Sequence, residues 1–236
     1  MLTHQGASAS LIENTRSFKL MADRADHVVA VSRAGMRELE SAFPDLKKKL
    51  GFIHNGGERI QAATPKRYRP YLLTVGRIAS YKGLDIMAMA FAGLAEKRPD
   101  LDWIVCGPDQ MGRRFHEFVR QLGLETRVYL PGSVSERKVA SLLVGCEAFV
   151  LPSRAEGSPM ALLEALAVGK PVIAARAGGI PEIVTHGRNG LLFKSGDPDS
   201  LKRAVKKLGK FKKRRSSLDF SWRRSAKAYR NFFGEL

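Results

Sequence analysis

Cysteine is scarce in this chain of 236 residues: Cys106 and Cys146 are the only two, and both sit in apolar surroundings. Two thiols build neither a disulfide framework nor a zinc-type ligand pattern, so they are read as core residues of a protein kept in a reducing compartment. No apolar run reaches the roughly 20 residues needed to cross a bilayer. The opening stretch, MLTHQGASAS, lacks the basic-then-apolar order of a secretory signal. A cytoplasmic location follows as the expectation, with peripheral attachment to the membrane left open by the charge. Acid is scarce as well. There are 23 Asp and Glu against 40 Lys and Arg, a formal net charge of +17. Such an excess favours acidic partners: nucleotide phosphates, anionic headgroups or nucleic acid. The histidines His27, His54, His116 and His186 show no ligand spacing, so no metal site is expected. There is no internal repeat and no long low-complexity linker.

What the chain does contain is organised around residues 148–175. Ala148 to Leu151 is a short apolar run that suits a buried parallel strand. Ser158 suits an N-cap, with Pro159 at the first helical position. The N–H groups of Met160 and Ala161 would then point out of a helix start, which is a ready anion site. Met160 to Val168 is apolar except for Glu164, the pattern of a buried helix. A buried carboxylate needs hydrogen-bond donors, so Glu164 is expected to meet hydroxyls or a cation.

The rest of the chain repeats strand and helix in alternation, the mark of a parallel sheet. Strands are expected near 71–75, 102–106, 127–130, 148–151, 172–175 and 191–193. Helices are expected near 83–97, 112–122, 136–144, 160–168, 181–186 and 198–208, the last opened by the cap pair Asp197-Pro198. The fold class is therefore α/β with a Rossmann-like parallel sheet. Before it come an amphipathic segment at 11–24, a strand at 28–31, a helix at 33–41 capped by Ser32, and a strand at Phe52-Ile53 closed by the turn Asn55-Gly56-Gly57. The expected division is 1–62, 63–218 and a basic, aromatic helix at 219–236.

Glu156 and Glu164 form an E-x7-E pair. Its context, PSRAEGSPMALLEALAVGKPVIAARAGGIPEIV, resembles the commonest signature of family 4 of the retaining, nucleotide-sugar-dependent glycosyltransferases. That resemblance implies the GT-B architecture, two Rossmann-like domains facing a cleft. It covers nearly all of the second domain and the tail FSWRRSAKAYRNFF. The pattern ADHVVAVSRAGMRELE…GFIHNGGE resembles only the last part of the family's acceptor-side domain, so a truncated first domain is expected. An incomplete open sheet exposes an edge.

The resemblance also implies roles. Arg77 and Lys82, in Gly76-Arg77-Ile-Ala-Ser-Tyr-Lys82-Gly, would hold the donor diphosphate and stabilise it as it leaves. Read on their own they are two loop cations beyond a strand end, where α/β sheets bind ligands. Glu164 would accept the ribose hydroxyls, and Glu156 would face the donor sugar. Gly157, Ser158, Met160 and Ala161 would complete the phosphate cradle. Gly107, Gly132, Ser133 and Val134 would border the base; the plain alternative is tight turns. Pro159 stands where many relatives carry Gly. Thr3-His4 resembles a loop whose histidine borders the reacting sugar, which would place His4 with Arg77, Lys82 and Glu156 as catalytic.

The implied function is transfer of a sugar from a nucleotide-diphosphate sugar to a glycan or lipid-linked acceptor hydroxyl, with retention and no further cofactor. Two rivals remain: a non-catalytic nucleotide-sugar-binding subunit that needs a partner, and a basic surface-binding protein with a Rossmann-like body. The basic residues from Lys202 to Arg230, interleaved with Phe211, Phe220, Trp222, Tyr229 and Phe232, suit a solvated helix face or an anionic bilayer. No nucleic-acid motif accompanies the charge.

Overall fold

Residues 2–4 form a strand, not the loop expected around His4. The computed structural model describes residues 2–4, 15–58, 62–64, 69–211 and 220–234. Strand β1 (Leu2–His4) pairs in parallel with β2 (Val28–Ala30), which pairs in parallel with β3 (Leu50–Phe52). Three residues carry no readable period, so only the distant partner Val28–Ala30 defines β1 as a strand. Helix α1 (Thr15–Arg24) precedes β2 and α2 (Arg33–Ala42) follows it. The start of the expected amphipathic segment, 11–14, lies outside the described residues. Phe18, Ala22, Leu39, Phe43 and Leu46 close a small core over this sheet. The expected strand at Phe52-Ile53 sits two residues earlier, although Ile53 still donates its N–H to Ala30 at 2.9 Å. A 3-10 turn, Pro44–Lys49, escaped the sequence reading.

The second body is a six-stranded parallel sheet. Its strands are β4 (Tyr71–Val75), β5 (Asp102–Cys106), β6 (Val128–Gly132), β7 (Ala148–Leu151), β8 (Val172–Ala175) and β9 (Leu191–Phe193), in the order β6-β5-β4-β7-β8-β9. Its helices are α3 (Leu84–Ala95), α4 (Arg113–Gln121), α5 (Glu136–Gly145), α6 (Met160–Ala167), α7 (Ile180–Ile183) and α8 (Pro198–Lys207). Every residue of β5, β7 and β8 is buried. This is why β7 and β8 read as unbroken apolar runs, and β5 does so after Asp102, which pairs with Arg127 at 2.9 Å: a parallel sheet is covered on both faces. Edge strand β6 instead alternates in burial. α3 packs beside α4 and α8, while α5 and α6 lie against β4, β7 and β8. Right-handed crossovers put the helices on opposite faces once the winding reverses.

One polar chain runs through this core. Trp103 Nε1 donates to Thr74 Oγ1 at 3.1 Å, and Thr74 donates on to the Val150 carbonyl at 2.9 Å. It ties β5 to β4 to β7 with no group left unpaired.

The final helix, α9 (Trp222–Gly234), returns to the first body. Ser225 donates to the His54 carbonyl at 2.7 Å, and the Phe232 ring stands edge-on to His27 at 5.1 Å between centroids. Much of the basic tail, including Lys212, Lys213, Arg214 and Arg215, lies outside the described residues. Among the described residues no helix is long and apolar enough to cross a membrane.

Candidate active site

The strand order reverses between β4 and β7. Open α/β sheets bind ligands in the crevice at such a reversal, beyond the carboxyl ends of the strands. The loop after β4 carries Gly76, Arg77 and a 3-10 turn, Ser80–Lys82. The loop after β7 carries Ser153, Glu156, Gly157 and Ser158. Residues separated by more than 70 positions are thereby brought into contact.

Lys82 Nζ lies 2.6 Å from Glu156 Oε1, and the same oxygen accepts the Ser153 hydroxyl at 2.7 Å. The side chains of Lys82 and Glu156 keep only 16% and 9% of their exposure. A pair this enclosed depends on its hydrogen bonds, because desolvation costs about as much as the attraction returns. Ser153 supplies the extra donor, and no feature of the sequence singled it out. Arg77 is exposed. Its guanidinium carbon stands 5.6 Å from the Tyr81 ring centroid, and Lys82 Nζ stands 5.2 Å from it. One aromatic ring therefore serves both cations, which its negative quadrupole attracts.

Arg154, also missed in the sequence, locks the two loops together. It donates to Asp85 through both terminal nitrogens, at 2.8 and 2.6 Å, and to the Ser80 carbonyl at 2.7 Å. Its own N–H reaches the Tyr81 carbonyl at 2.8 Å. A bidentate guanidinium fixes direction as well as distance, so the turn bearing Lys82 is held from the side that bears Glu156.

The helix start differs from expectation. Pro159, not Ser158, is the N-cap of α6, and it offers no side-chain cap. Ser158 is claimed by the other body. Its hydroxyl accepts the Asn55 N–H at 3.2 Å, and its carbonyl accepts Asn55 Nδ2 at 2.9 Å. Tertiary partners displace the local cap. Met160 and Ala161 are the first two residues of α6, so their N–H groups precede the first intrahelical bonds.

Glu164 lies on the second turn of α6 and is half-buried rather than buried. Among the described residues its carboxylate makes no hydrogen bond or ion pair; the hydroxyls or cation expected from the sequence are not among them. Burial, and then the nearby charge of Glu136, raise its pKa above the usual value.

Gly107 and Gly132 stand at the ends of β5 and β6, joined by Gly107 N–H to Gly132 O at 2.9 Å. A Cβ on Gly107 would lie 2.0 Å from the Gly76 carbonyl. Close backbone approach accounts for this glycine without a ligand. Ser133 and Val134 follow β6 in the loop. His4 is described through its backbone alone, at the end of β1 beside Ala30. A cavity of about 500 Å3 shares Tyr81 with the crevice but takes in none of Arg77, Lys82, Glu156 or Glu164. Among the described residues no three His, Cys, Asp or Glu side chains converge as metal ligands.

The family profile described as glycosyl transferases group 1 matches residues 58–221. The chain belongs to that family. The matched segment holds Arg77, Lys82, Glu156 and Glu164, whereas His4 and Asn55 lie outside it. An uncharacterized glycosyltransferase of Methanocaldococcus jannaschii is 30% identical over 249 residues, covering 100% of this chain and 68% of the relative. The 2-deoxystreptamine N-acetyl-D-glucosaminyltransferase of Niallia circulans is 33% identical over 126 residues, which is 53% of this chain and 32% of that one. In fold, the chain is similar to Anabaena HepE in complex with UDP and glucose. The TM-score is 0.76 at 22% identity, over 100% of this chain and 71% of HepE. Sucrose-phosphate synthase from Thermosynechococcus elongatus gives a TM-score of 0.75 at 20% identity, over 99% of this chain and 68% of that one. The GT-B glycosyltransferase fold and group 1 membership thus stand together. The chain spans about two thirds of the length of these longer matches.

Proposed function

We propose that this group 1 glycosyltransferase is a family 4 enzyme that moves a sugar from a nucleotide-diphosphate sugar to an acceptor hydroxyl with retention. The observation that carries the reading is the meeting of Lys82 with Glu156 at the point of strand reversal, beside Arg77 and the start of α6. When the bond from the sugar C1 to the diphosphate breaks, the electron pair and negative charge go to the phosphate oxygen. Arg77, Lys82 and the first N–H groups of α6 supply positive charge at that place, already oriented. Lys82 would then share its ammonium between the diphosphate and Glu156. Glu156 keeps one oxygen clear of Lys82 and Ser153, and that oxygen suits a sugar hydroxyl or the electron-poor C1. Glu164 needs donors that the described residues do not provide, and a ribose diol supplies two.

The HepE complex contains UDP and glucose, which favours a nucleotide sugar as donor here. The acceptor in this reading is a glycan or a lipid-linked glycan, with an anionic membrane surface as a peripheral contact for the basic helix α9. No nucleic-acid partner is proposed.

Calorimetry with UDP, GDP and ADP tests the donor site. One of the three binds the wild-type chain. Arg77→Ala weakens that binding by about 1.5–3 kcal/mol, the value of one charge-assisted contact. A folded protein that binds none of the three overturns the assignment.

A further inference from the structure

We propose that Glu182 is a positioning residue: its carboxylate clamps the two bodies together and so sets the place of the Glu156 segment. Glu182 belongs to α7 in the six-stranded body. Its two oxygens accept backbone N–H groups of the other body, from Arg33 at 3.0 Å and Ala34 at 2.8 Å. These are the first two residues of α2. The third, Gly35, donates to the α2 cap Ser32 at 3.0 Å. Three N–H groups that a helix start leaves without intrahelical partners are thus satisfied, two of them by a side chain 148 positions or more away. The helix dipole adds to the bond, since a carboxylate at this end meets partial positive charge.

His54 completes the contact. Its Nε2 lies 3.3 Å from Glu182 Oε2 and its Nδ1 lies 3.1 Å from the Val31 carbonyl.

The clamp reaches the crevice by a short covalent and hydrogen-bonded path. Gly179, three residues before Glu182, donates its N–H to the Glu156 carbonyl at 2.9 Å. The bodies meet there without room for a side chain: a Cβ on Gly179 would lie 2.0 Å from the Gly157 carbonyl and 2.6 Å from Ser32 Cβ. Glu182 thus sits three residues from the bond that fixes the Glu156 backbone, which ties the place of that segment to the contact with α2. The Glu182 side chain keeps 23% of its exposure, so water already reaches the carboxylate. The clamp's consequence for transfer rests on the donor-site reading above; its existence does not.

Hydrogen exchange of the full chain, followed by mass spectrometry over the start of α2, tests the clamp. Glu182→Ala should raise exchange at Arg33 and Ala34 at least tenfold, and Glu182→Gln, with one acceptor left, should fall between it and wild type. Amides of β4 and β7 should keep wild-type protection in both. Affinity for whichever nucleoside diphosphate binds should stay within twofold, since Arg77 and Lys82 are untouched. Release of that diphosphate from its sugar donor should slow about tenfold, in kcat and not in KM. Wild-type exchange at Arg33 and Ala34 in both variants would overturn the clamp. Parallel loss of nucleotide affinity would also overturn it, by placing Glu182 on the ligand. A wild-type chain that binds no nucleotide sinks the donor reading, and the exchange result alone then decides the clamp. Should Glu182→Ala fail to fold, exchange in Glu182→Gln decides the question by itself: raised rates support the clamp and wild-type rates overturn it.

Discussion

At the scale of the residue, the Lys82–Glu156 pair decides more than charge counting does. Removing one partner of an enclosed pair strands the other, at about 3–5 kcal/mol for full burial. Lys82→Ala should therefore lower stability in urea melts, by somewhat less than that because Lys82 keeps 16% exposure. Adding Glu156→Gln should restore most of the loss, with a coupling of at least about 0.5 kcal/mol expected of residues in contact. Additive losses would mean the pair is not formed. Glu164 gives the opposite sign. Its folded pKa is raised by burial, so its ionisation works against folding. The stability of its protonated form is fully present below the unfolded pKa and is lost as pH rises through the folded pKa. Glu164→Gln should accordingly raise the melting temperature at neutral pH, with the gain shrinking toward acid pH, while nucleotide affinity falls. A uniform shift at all pH values would rule out the carboxylate as the cause. The thiols behave as the sequence suggested. Burial pushes Cys106 up to about 11 and Cys146 up to about 12. Both should resist alkylation at about pH 8 until denaturant is added, because only the thiolate attacks.

At the scale of the element, Arg154 shows how two loops become one wall. Its bidentate grip on Asp85 and its bond to Ser80 hold the Lys82 turn from the β7 side. Arg154→Lys keeps a charge but loses the fork. Nucleotide affinity should fall several-fold, and exchange of the 80–85 backbone should rise, as measured by calorimetry and hydrogen exchange. Unchanged exchange there would assign Arg154 to the surface alone. Helix α9 offers a second test. Arg223, Arg224, Lys227 and Arg230 are exposed on it, and each basic residue near an anionic surface contributes about 1 kcal/mol. Flotation should recover the protein with anionic vesicles at low salt and lose it at high salt. Equal recovery on neutral vesicles would leave α9 as a solvated face packed on β3 and His27.

At the scale of the whole molecule, ligand and fold are linked. A nucleotide that binds the folded chain raises its stability by RT ln(1 + [L]/Kd), about 2.7 kcal/mol at a hundredfold excess over Kd. The nucleoside diphosphate that binds in calorimetry should therefore be the one that raises the melting temperature. Disagreement between the two ranks would show that binding occurs away from the folded crevice. The two bodies meet along Asn55–Ser158, Glu182–α2 and α9, all polar or partly exposed contacts. Interfaces of this kind permit relative motion between bodies, which gives the Glu182 clamp something to restrain.

Much of this was legible in the chain itself. Continuous apolar runs such as Leu72-Leu73 and Phe149-Val150 announce strands buried on both faces. Asp197-Pro198 announces a helix start, and the Asp197 side chain does accept the Ser200 N–H at 2.9 Å. These signals are local: a strand's burial pattern, or a cap three residues from its donor, is written within one window of sequence. The crevice residues Arg77, Lys82, Glu156 and Glu164 were found through resemblance and through their position after strands. Their relations were not legible. Nothing near Glu156 says that Lys82 and Ser153 share one oxygen of it. Nothing near Ser158 says that Asn55 will take it from α6. Leu2–His4 is a strand only because Val28–Ala30 lies beside it. Glu182 sits in a single helical turn that reads as ordinary βα punctuation, and its partners are N–H groups 148 positions or more away. Pairings at such separations depend on how the strand order brings loops together, and that order is fixed when the sheet is wound.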